Sequence, residues 1–347
     1  MRNLAQIAVG VIGTGGMGGM HAEHVHSMLA DARVAAVADP DAARSERLAE
    51  TCGNATVYGD AEELIRDDAV EAVVIASPDP THLPLVLECL EYEKPVLCEK
   101  PLAGSAGDAL KIVEAEVELG KKLVQVGFMR RHDPQHVAVK EAVASGAVGA
   151  PVLFKGWHRN LDHDPRIDSA GVVTNSTIHD LDSARWFLGQ EIEEVYVRGA
   201  NTSPKLGEDV LDVQLIQFVT TGGRLGTIET NLVSGYGYEV GVELVGELGT
   251  VQTAPPSAAV VRRDGAASQR MEDDWLKRFH EAYVIEMRRW VQALGDGAPA
   301  GPNSWDGYAS LVVADACIAS LRSGSPQKVT KLEAPALYAS EGSEVVR

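Results

Sequence analysis

Two short segments of this 347-residue chain carry side chains that can move a proton. Glu99-Lys100-Pro101 follows an apolar run, and Ile178-His179-Asp180-Leu181-Asp182 opens a segment with helical character. His179 can accept the proton of an alcohol while a hydride leaves the same carbon. Lys100 follows a short strand, and ligands bind beyond the carboxyl ends of parallel strands. Taken singly, such a histidine is more often a core or capping residue and such a lysine is solvated, but together they predict alcohol oxidation.

A glycine-rich turn predicts a dinucleotide site. Gly13-Thr14-Gly15-Gly16-Met17-Gly18 fits the GxGxxG pattern, and it lies between a buried apolar run and a helix expected from about residue 17. Gly13 permits the tight turn, Gly15 lets the backbone approach a pyrophosphate, and Gly18 allows close packing of helix on strand. The free amides of the helix N-terminus then face the phosphates.

Asp39 indicates which dinucleotide binds. It stands at the end of the second predicted strand, 33–38. A carboxylate at this place accepts hydrogen bonds from the ribose hydroxyls and repels a 2′-phosphate, which favours NAD over NADP. Arg44 on the next helix is a candidate partner for a 2′-phosphate, although an exposed helical arginine is the simpler interpretation. NAD is therefore the predicted cofactor.

The elements that position these residues change character along the chain. Strands alternate with helices through residues 1–125, which predicts a Rossmann domain with a doubly wound parallel sheet that binds NAD. Residues 126–347 are expected to form an α+β domain that binds substrate and mediates oligomerisation. Its longer strands lack intervening helices and predict a large, open, mostly antiparallel sheet. These strands are expected at 192–200, 209–219, 224–233 and 239–246. The fold class is α/β.

Composition excludes several classes of partner. The net charge of −19 argues against nucleic acid and anionic membranes, because a phosphate surface would be repelled. No apolar run approaches the length of a membrane span, and no secretory signal is recognised. The cysteines at 52, 89, 98 and 317 form no CxxC pair, so we expect reduced thiols and a cytoplasmic location.

Two groups of potential metal ligands are interpreted as non-metal sites. Hydride transfer to a nicotinamide needs no metal, and the group on the helix after the glycine turn has no second cluster at a familiar metal spacing. The groups are His21, Glu23, His24 and His26 on the helix after the glycine turn, and His158, Asp162, His163 and Asp164 further on. We expect the first group on a solvent-facing or cofactor-adjacent helix. The second suits a polyhydroxyl substrate.

Together these motifs resemble the glucose–fructose oxidoreductase/inositol dehydrogenase family, over nearly the whole chain. Within this family the resemblance is strongest to the myo-inositol 2-dehydrogenases. The segments that carry it are the glycine turn, Ala76–His82, Glu99-Lys100-Pro101, Gly127–Arg131, His158-Arg159-Asn160, His179–Asp182 and Gly235–Tyr238. The resemblance implies oxidation of a secondary ring hydroxyl of a cyclitol to a ketone, with NAD, by a homo-oligomer that is commonly a tetramer.

The resemblance also implies residue roles. Lys100 would hold the reacting hydroxyl and stabilise developing oxyanion character, and His179 would be the general base. The implied substrate contacts are Met129, Arg130, His158, Asn160, Asn175 and Tyr238. The implied cofactor contacts are Gly13, Gly15, Gly16, Met17, Gly18, Asp39, Ser77, His82, Glu99 and Lys100.

Asn175 departs from the family pattern. Four residues before the catalytic histidine, inositol dehydrogenases usually carry an aspartate, and asparagine cannot take a proton. Either another carboxylate assists, or the substrate is a different inositol isomer or a sugar. Three alternatives stay open: a family dehydrogenase acting on scyllo-inositol or on an aldose at C1, an NAD-dependent glycoside hydrolase, and a non-catalytic sugar or redox sensor. Lys100 with His179 argues against the sensor.

Overall fold

The chain divides into two compact units. A computed structural model describes residues 6–207, 209–254, 260–297 and 299–339. The first unit comprises the chain up to Met129 together with Tyr283–Leu311 and the residues from Ala334. The second unit comprises Arg130–Ala282 and Val312–Glu333. The chain therefore leaves the first unit after Met129 and again after Leu311, and it returns to that unit at Tyr283 and at Ala334.

The described residues contain strands and helices with the following bounds. The strands are β1 (Ile7–Ile12), β2 (Ala32–Ala38), β3 (Thr56–Tyr58), β4 (Ala72–Ile75), β5 (Val96–Cys98), β6 (Val124–Val126), β7 (Pro151–Arg159), β8 (Ile192–Ala200), β9 (Val213–Thr220), β10 (Leu225–Asn231), β11 (Glu239–Gly246), β12 (Thr250–Gln252), β13 (Val260–Arg263), β14 (Ala266–Gln269) and β15 (Gln327–Lys328). The helices are α1 (Gly16–Met28), α2 (Ala42–Thr51), α3 (Ala61–Arg66), α4 (His82–Glu91), α5 (Ala106–Leu119), α6 (Pro134–Ala144), α7 (Ile178–Leu188), α8 (Trp275–Asp296) and α9 (Ser304–Ser323).

The sheet of the first unit is parallel throughout, in the order β3-β2-β1-β4-β5-β6. Every residue of β4 is buried, as expected for a strand covered on both faces. The order reverses between β1 and β4, so the carboxyl ends of these strands border the crevice where doubly wound sheets bind ligands. The predicted Rossmann fold is confirmed, with the strand β3 as an addition that was not predicted, because three residues show no periodicity.

Helix α8 contributes to the core of the first unit. Met287, Trp290 and Val291 lie on one helical face and pack with Val25 and Leu29 in a buried apolar cluster. The division of the sequence at residue 125 places this helix wholly in the second domain, whereas its residues from Tyr283 onward group with the first unit. An apolar stripe identifies a buried face but not the surface that covers it.

The sheet of the second unit is open and mixed, in the order β12-β11-β7-β10-β9-β8-β15. Strands β7 and β10 pair in parallel, while the other pairs are antiparallel. The predicted mostly antiparallel sheet is confirmed. In β9 the side chains of Ile216 and Phe218 are buried and that of Leu215 is exposed, so one face is covered and the other is open.

The second unit also contains a π-helical turn and an exposed β-hairpin. A π-helical turn, Val173–Thr177, leads directly into α7. Strands β13 and β14 form a hairpin whose residues are all exposed. Among the described helices, none combines the length and the apolar character needed to cross a bilayer.

Candidate functional site

The glycine turn between β1 and α1 has a backbone that only glycine allows at two positions. Gly13 adopts a φ of +86°, in the left-handed region. A Cβ on Gly18 would lie 1.7 Å from the carbonyl oxygen of Gly13. These two glycines therefore set the sharp turn and the close packing of α1 on β1 that the sequence predicted.

The N-terminus of α1 has donors available for an anion. Its capping residue Gly15 supplies no side-chain hydrogen bond, so the first-turn amides depend on other acceptors. A Cβ on Gly16 would meet nothing within 4 Å, which means that the space over the turn is open. The side chain of Thr14 is buried beside this turn. Met17 lies in the first turn of the same helix. Open space, free amides and a positive helix end fit a pyrophosphate.

Asp39 is fixed beside this turn. Its Oδ2 accepts a hydrogen bond from the amide of Thr14 at 2.7 Å, and its Oδ1 accepts one from the amide of Asp41 at 2.9 Å. Burial raises the pKa of Asp39, but these backbone hydrogen bonds outweigh burial and hold the pKa below its usual value. An ionised carboxylate therefore stands at the end of β2, in the place that a ribose diol requires.

His82 joins two segments at the carboxyl edge of the parallel sheet. Its ring is buried, with Nδ1 2.8 Å from the carbonyl oxygen of Pro101 and Nε2 2.8 Å from that of Ser77. The first of these segments follows β5 and the second follows β4. The Ser77 hydroxyl lies 2.6 Å from that of Thr81. The imidazole of His82 thus contacts main chain on both sides, and it fixes the loops that carry Ser77 and Lys100.

The Glu99 carboxylate is hydrogen-bonded to the main chain of Lys100. Its Oε1 lies 2.8 Å from Nε2 of the buried His21, and its Oε2 accepts a hydrogen bond from the Lys100 amide at 3.2 Å. A Cβ on Gly127 would lie 2.8 Å from the same Oε2, so this carboxylate is closely enclosed. Burial, and next the charge of Glu99, raise the pKa of Glu286 well above its usual value. His21, which contacts this carboxylate, is buried and does not lie on a solvent-facing surface.

In the second unit, two consecutive arginines pair with two alternate aspartates. Nη1 of Arg130 lies 2.6 Å from Oδ1 of Asp180, and both groups are buried. Arg131 donates from Nε and Nη2 to Asp182 at 3.0 and 2.6 Å. Asp180 lies in the first turn of α7 and Asp182 directly after it; His179 in the same turn is buried, and its carbonyl oxygen accepts a hydrogen bond from Ser183. The ion pairs therefore fix the helix start that presents His179.

His158 extends this network to Tyr238. Its Nδ1 lies 3.2 Å from Oδ2 of Asp180 and 3.0 Å from Nη2 of Arg130, and its Nε2 lies 3.5 Å from the Tyr238 hydroxyl. Burial raises the pKa of Asp180, but the charge of Arg130 and the hydrogen bond from His158 outweigh burial and leave the pKa below its usual value. Burial also raises the pKa of Tyr238. The structure brings together three predicted substrate residues around a carboxylate.

The structure also places the three other predicted substrate residues. Met129 is buried and belongs to the first unit. Asn160 follows β7, where its amide donates to the carbonyl oxygen of Asn231 at 2.8 Å. Asn175 lies exposed in the π-helical turn ahead of α7.

Sequence reasoning missed two charged residues that organise this unit. Asp180 was quoted only as part of a motif. Two neighbouring arginines, Arg130-Arg131, and two aspartates one residue apart, Asp180 and Asp182, are a pattern that could have indicated ion pairs between the two segments. Asp133 accepts hydrogen bonds from Arg278 at 2.9 and 3.2 Å, and its Oδ2 lies 2.6 Å from Nδ1 of His136. Burial raises the pKa of Asp133, but these two partners outweigh burial and hold it far below its usual value. Nothing local indicated a partner as distant in sequence as Arg278.

Two family models match the chain. The model described as "Oxidoreductase family, NAD-binding Rossmann fold" matches residues 7–128. The model described as "Oxidoreductase family, C-terminal alpha/beta domain" matches residues 140–330. Together they span most of the chain, and the first agrees with the cofactor predicted from the glycine turn and Asp39.

Individual relatives are similar over nearly their whole lengths. An inositol 2-dehydrogenase of Rubrobacter xylanophilus is 73% identical over 334 residues, which are 96% of this chain and 96% of the relative. Inositol 2-dehydrogenase 1 of Saccharopolyspora erythraea is 42% identical, over 96% of this chain and 99% of the relative. The crystal structure of myo-inositol dehydrogenase from Lactobacillus casei, in complex with NAD(H) and myo-inositol, has a TM-score of 0.92 and 31% identity, over 96% of this chain and 99% of that chain.

Proposed function

Because this chain belongs to the oxidoreductase family with an NAD-binding Rossmann fold, we propose that it oxidises a secondary ring hydroxyl of a cyclitol to a ketone, as an inositol 2-dehydrogenase. The observation that carries the proposal is the 73% identity to an inositol 2-dehydrogenase over 96% of both chains. The fixed carboxylate of Asp39 and the open glycine turn support NAD as the dinucleotide.

The proposed catalytic residues are Lys100 and His179. When bound, NAD supplies the hydride acceptor at its nicotinamide ring. His179 accepts the hydroxyl proton, and Lys100 holds the hydroxyl oxygen and stabilises the negative charge that develops on it. The support is local order: Glu99 holds the Lys100 amide, and Asp180 and Ser183 fix the helical turn that carries His179.

The proposed substrate contacts combine donors and acceptors suited to a polyol. Asp180 can only accept a hydrogen bond, so in the tautomer of His158 whose Nδ1 donates to Asp180, Nε2 is an acceptor for a hydroxyl. Arg130 supplies fixed donors and Tyr238 a hydroxyl within the same network. Met129, Asn160 and Asn175 complete the proposed set.

The proposed cofactor contacts fall into two groups. Gly13, Gly15, Gly16, Met17 and Gly18 would face the pyrophosphate through backbone amides, and Asp39 would bind the ribose. Ser77, His82, Glu99 and Lys100 would shape the edge of the sheet beyond β4 and β5. In this group His82 and Glu99 act through the main chain that they hold: both ring nitrogens of His82 contact carbonyl oxygens, and Oε2 of Glu99 accepts a hydrogen bond from the Lys100 amide.

A related activity has one specific observation in its favour. Asn175, which the resemblance matches to a usual aspartate, lies exposed in the turn before α7. A different inositol isomer, such as scyllo-inositol, or an aldose oxidised at C1 is therefore the second candidate for the substrate.

The experiment that tests the proposed function is a substrate panel. Purified protein is incubated with NAD or NADP and with myo-inositol, scyllo-inositol or D-glucose, and NADH or NADPH formation is followed by absorbance. We expect reduction of NAD with an inositol, at a kcat/KM well above that for glucose. A higher kcat/KM with glucose would replace the cyclitol by an aldose, and no reduction with any polyol would exclude a dehydrogenase.

The assembly, the domain roles and the location are also proposals. We propose a cytoplasmic homotetramer, with NAD bound by residues 1–125 and with substrate binding and oligomerisation assigned to residues 126–347. Leu225 is exposed on the open face of the second sheet and is paired in register with Val219 and Leu153, which supports an interface there. The four cysteines are buried and unpaired, which supports a reducing compartment. Light scattering after size exclusion tests the tetramer.

A further inference from the structure

The guanidinium of Arg44 lies next to the carboxylate of Asp39, the proposed ligand of the cofactor ribose. Its Nη1 is 3.7 Å from Oδ2 of Asp39, and its Nη2 donates to Oδ2 of Asp41 at 3.2 Å. The main chain fixes the same corner, because the Arg44 amide donates to Oδ1 of Asp41, the N-cap of α2. Arg44 is therefore held by two carboxylates at the end of β2.

The same guanidinium borders the glycine turn. A Cβ on Gly15 would lie 3.8 Å from Nη1 of Arg44. The Arg44 side chain is 46% exposed, whereas that of Asp39 is 10% exposed. A ligand that reaches Asp39 along the glycine turn thus meets an accessible guanidinium group beside it.

The two charges act in opposite directions on a 2′-phosphate. Asp39 repels it, while a planar guanidinium is the side chain best suited to bind a phosphate in a bidentate manner. With Asp39 present, part of the Arg44 charge is neutralised by a fixed carboxylate. Without Asp39, Arg44 keeps Asp41 as a partner through Nη2, and Nη1 is left facing the vacated position.

We propose that Arg44 is a second cofactor-specificity residue, a binding group for a 2′-phosphate that Asp39 masks. The preference between NAD and NADP is then set by the Asp39–Arg44 pair, and not by Asp39 alone. This inference rests on the dinucleotide site of the proposed function but not on the identity of the polyol.

A double-mutant cycle tests the pair. The variants are Asp39→Ala, Arg44→Ala and the double variant, and the quantity compared is kcat/KM with NADP divided by kcat/KM with NAD. We expect Asp39→Ala to raise this ratio by about 100-fold or more, and the rise to be at least about tenfold smaller in the Arg44→Ala background. An equal rise in both backgrounds would overturn the proposal.

Arg47 provides a matched control, since it is an exposed arginine on the same helix whose side chain has no contact with Asp39 among the described residues. In Asp39→Ala/Arg47→Ala the ratio of kcat/KM with NADP to kcat/KM with NAD should rise as much as in Asp39→Ala. If Arg47→Ala diminished this rise as much as Arg44→Ala does, net charge alone would explain the effect, and the proposal would be contradicted.

A binding measurement separates this inference from the proposed function. Calorimetry with 2′,5′-ADP and with 5′-AMP as probes requires no turnover and no polyol. We expect Asp39→Ala to bind 2′,5′-ADP more tightly than 5′-AMP, and the difference to shrink by about tenfold when Arg44 is also replaced. An unchanged difference would reject the role of Arg44, whichever substrate the enzyme oxidises. Asp39→Asn serves as the second variant if Asp39→Ala fails to fold.

Discussion

Nε2 of His21 lies 2.8 Å from Oε1 of Glu99, so the helix that begins at the glycine turn is bonded to the residue before Lys100. Both groups are buried, and the other oxygen of Glu99 accepts the amide of Lys100. The segment that would bind the pyrophosphate and the segment that carries the proposed catalytic lysine are therefore positioned by one buried contact.

Replacing His21 should impair the Lys100 segment. We expect His21→Ala to lower kcat by about tenfold or more and to lower the free energy of unfolding by about 2 kcal/mol, because the Glu99 carboxylate is left buried without this partner. Steady-state kinetics and urea unfolding measure the two effects. His26 is exposed on the same helix, and His26→Ala should leave both quantities nearly unchanged. Equal effects of the two substitutions would show that the contact with Glu99 has no special role.

Replacing Gly18 should disrupt the turn itself. A Cβ at this position would lie 1.7 Å from the carbonyl oxygen of Gly13, so α1 must move away from β1 in Gly18→Ala. We expect NAD affinity, measured by calorimetry, to fall by at least about tenfold. Gly59→Ala is the control, since its Cβ would meet nothing within 4 Å. Unchanged NAD affinity in Gly18→Ala would contradict the assigned turn geometry.

The Arg130–Asp180 ion pair should stabilise the second unit. Asp180→Asn leaves the buried guanidinium without a charge partner, and we expect a loss of about 3 kcal/mol in the free energy of unfolding at neutral pH. The control is Asp164→Asn, which breaks an exposed pair with Arg166 and should cost less than about 1 kcal/mol. Urea unfolding measures both. A loss no larger than that of the control would contradict the account.

The same pair should make stability depend on acid pH. The pKa of Asp180 in the folded protein lies below its usual value of 3.8, because Arg130 and His158 outweigh burial. The contribution of the pair is therefore fully present at pH values above 3.8 and is lost as the pH falls below it toward the folded pKa. We expect the stability difference between the native protein and Asp180→Asn to be constant from neutral pH to about pH 5 and to shrink at lower pH. A difference that grows on acidification would reverse the assigned sign.

Asn175 should influence which polyol is oxidised. In Asn175→Asp a carboxylate is restored in the turn before α7, and this group can accept but no longer donate a hydrogen bond. We expect the ratio of kcat/KM for myo-inositol to that for scyllo-inositol to change by about tenfold. Gln217→Glu makes the same change of amide to carboxylate at an exposed residue of the same unit and serves as the control. The same ratio in both variants would remove Asn175 from the specificity determinants.

The sequence predicted those features whose signals are local. The apolar runs predicted the main strands of both sheets, and the spacing of the glycines predicted the turn at Gly13–Gly18. Short strands such as β3 and β15 were missed because two or three residues show no periodicity. Their pairing depends on neighbours that the local sequence does not reveal.

The sequence could name most of the candidate site but not its connections. Arg130, His158 and Tyr238 were selected by resemblance, yet Asp180, which the first two contact, was passed over. His21 was expected on a surface or beside a cofactor, and it is buried against Glu99. Buried ion pairs between residues far apart in sequence arise from the fold, so a single sequence indicates the charges but not the partners.

The central claim is that this chain oxidises a cyclitol with NAD through Lys100. The most direct measurement is NADH formation with myo-inositol by the native protein and by Lys100→Ala, together with NAD binding by calorimetry. We predict turnover by the native protein and a loss of at least about 100-fold in kcat for Lys100→Ala, with NAD still bound. Lys111→Ala, on the exposed surface of α5, should turn over normally. Turnover by Lys100→Ala at the native rate, or no NADH from the native protein with any inositol, would contradict the account.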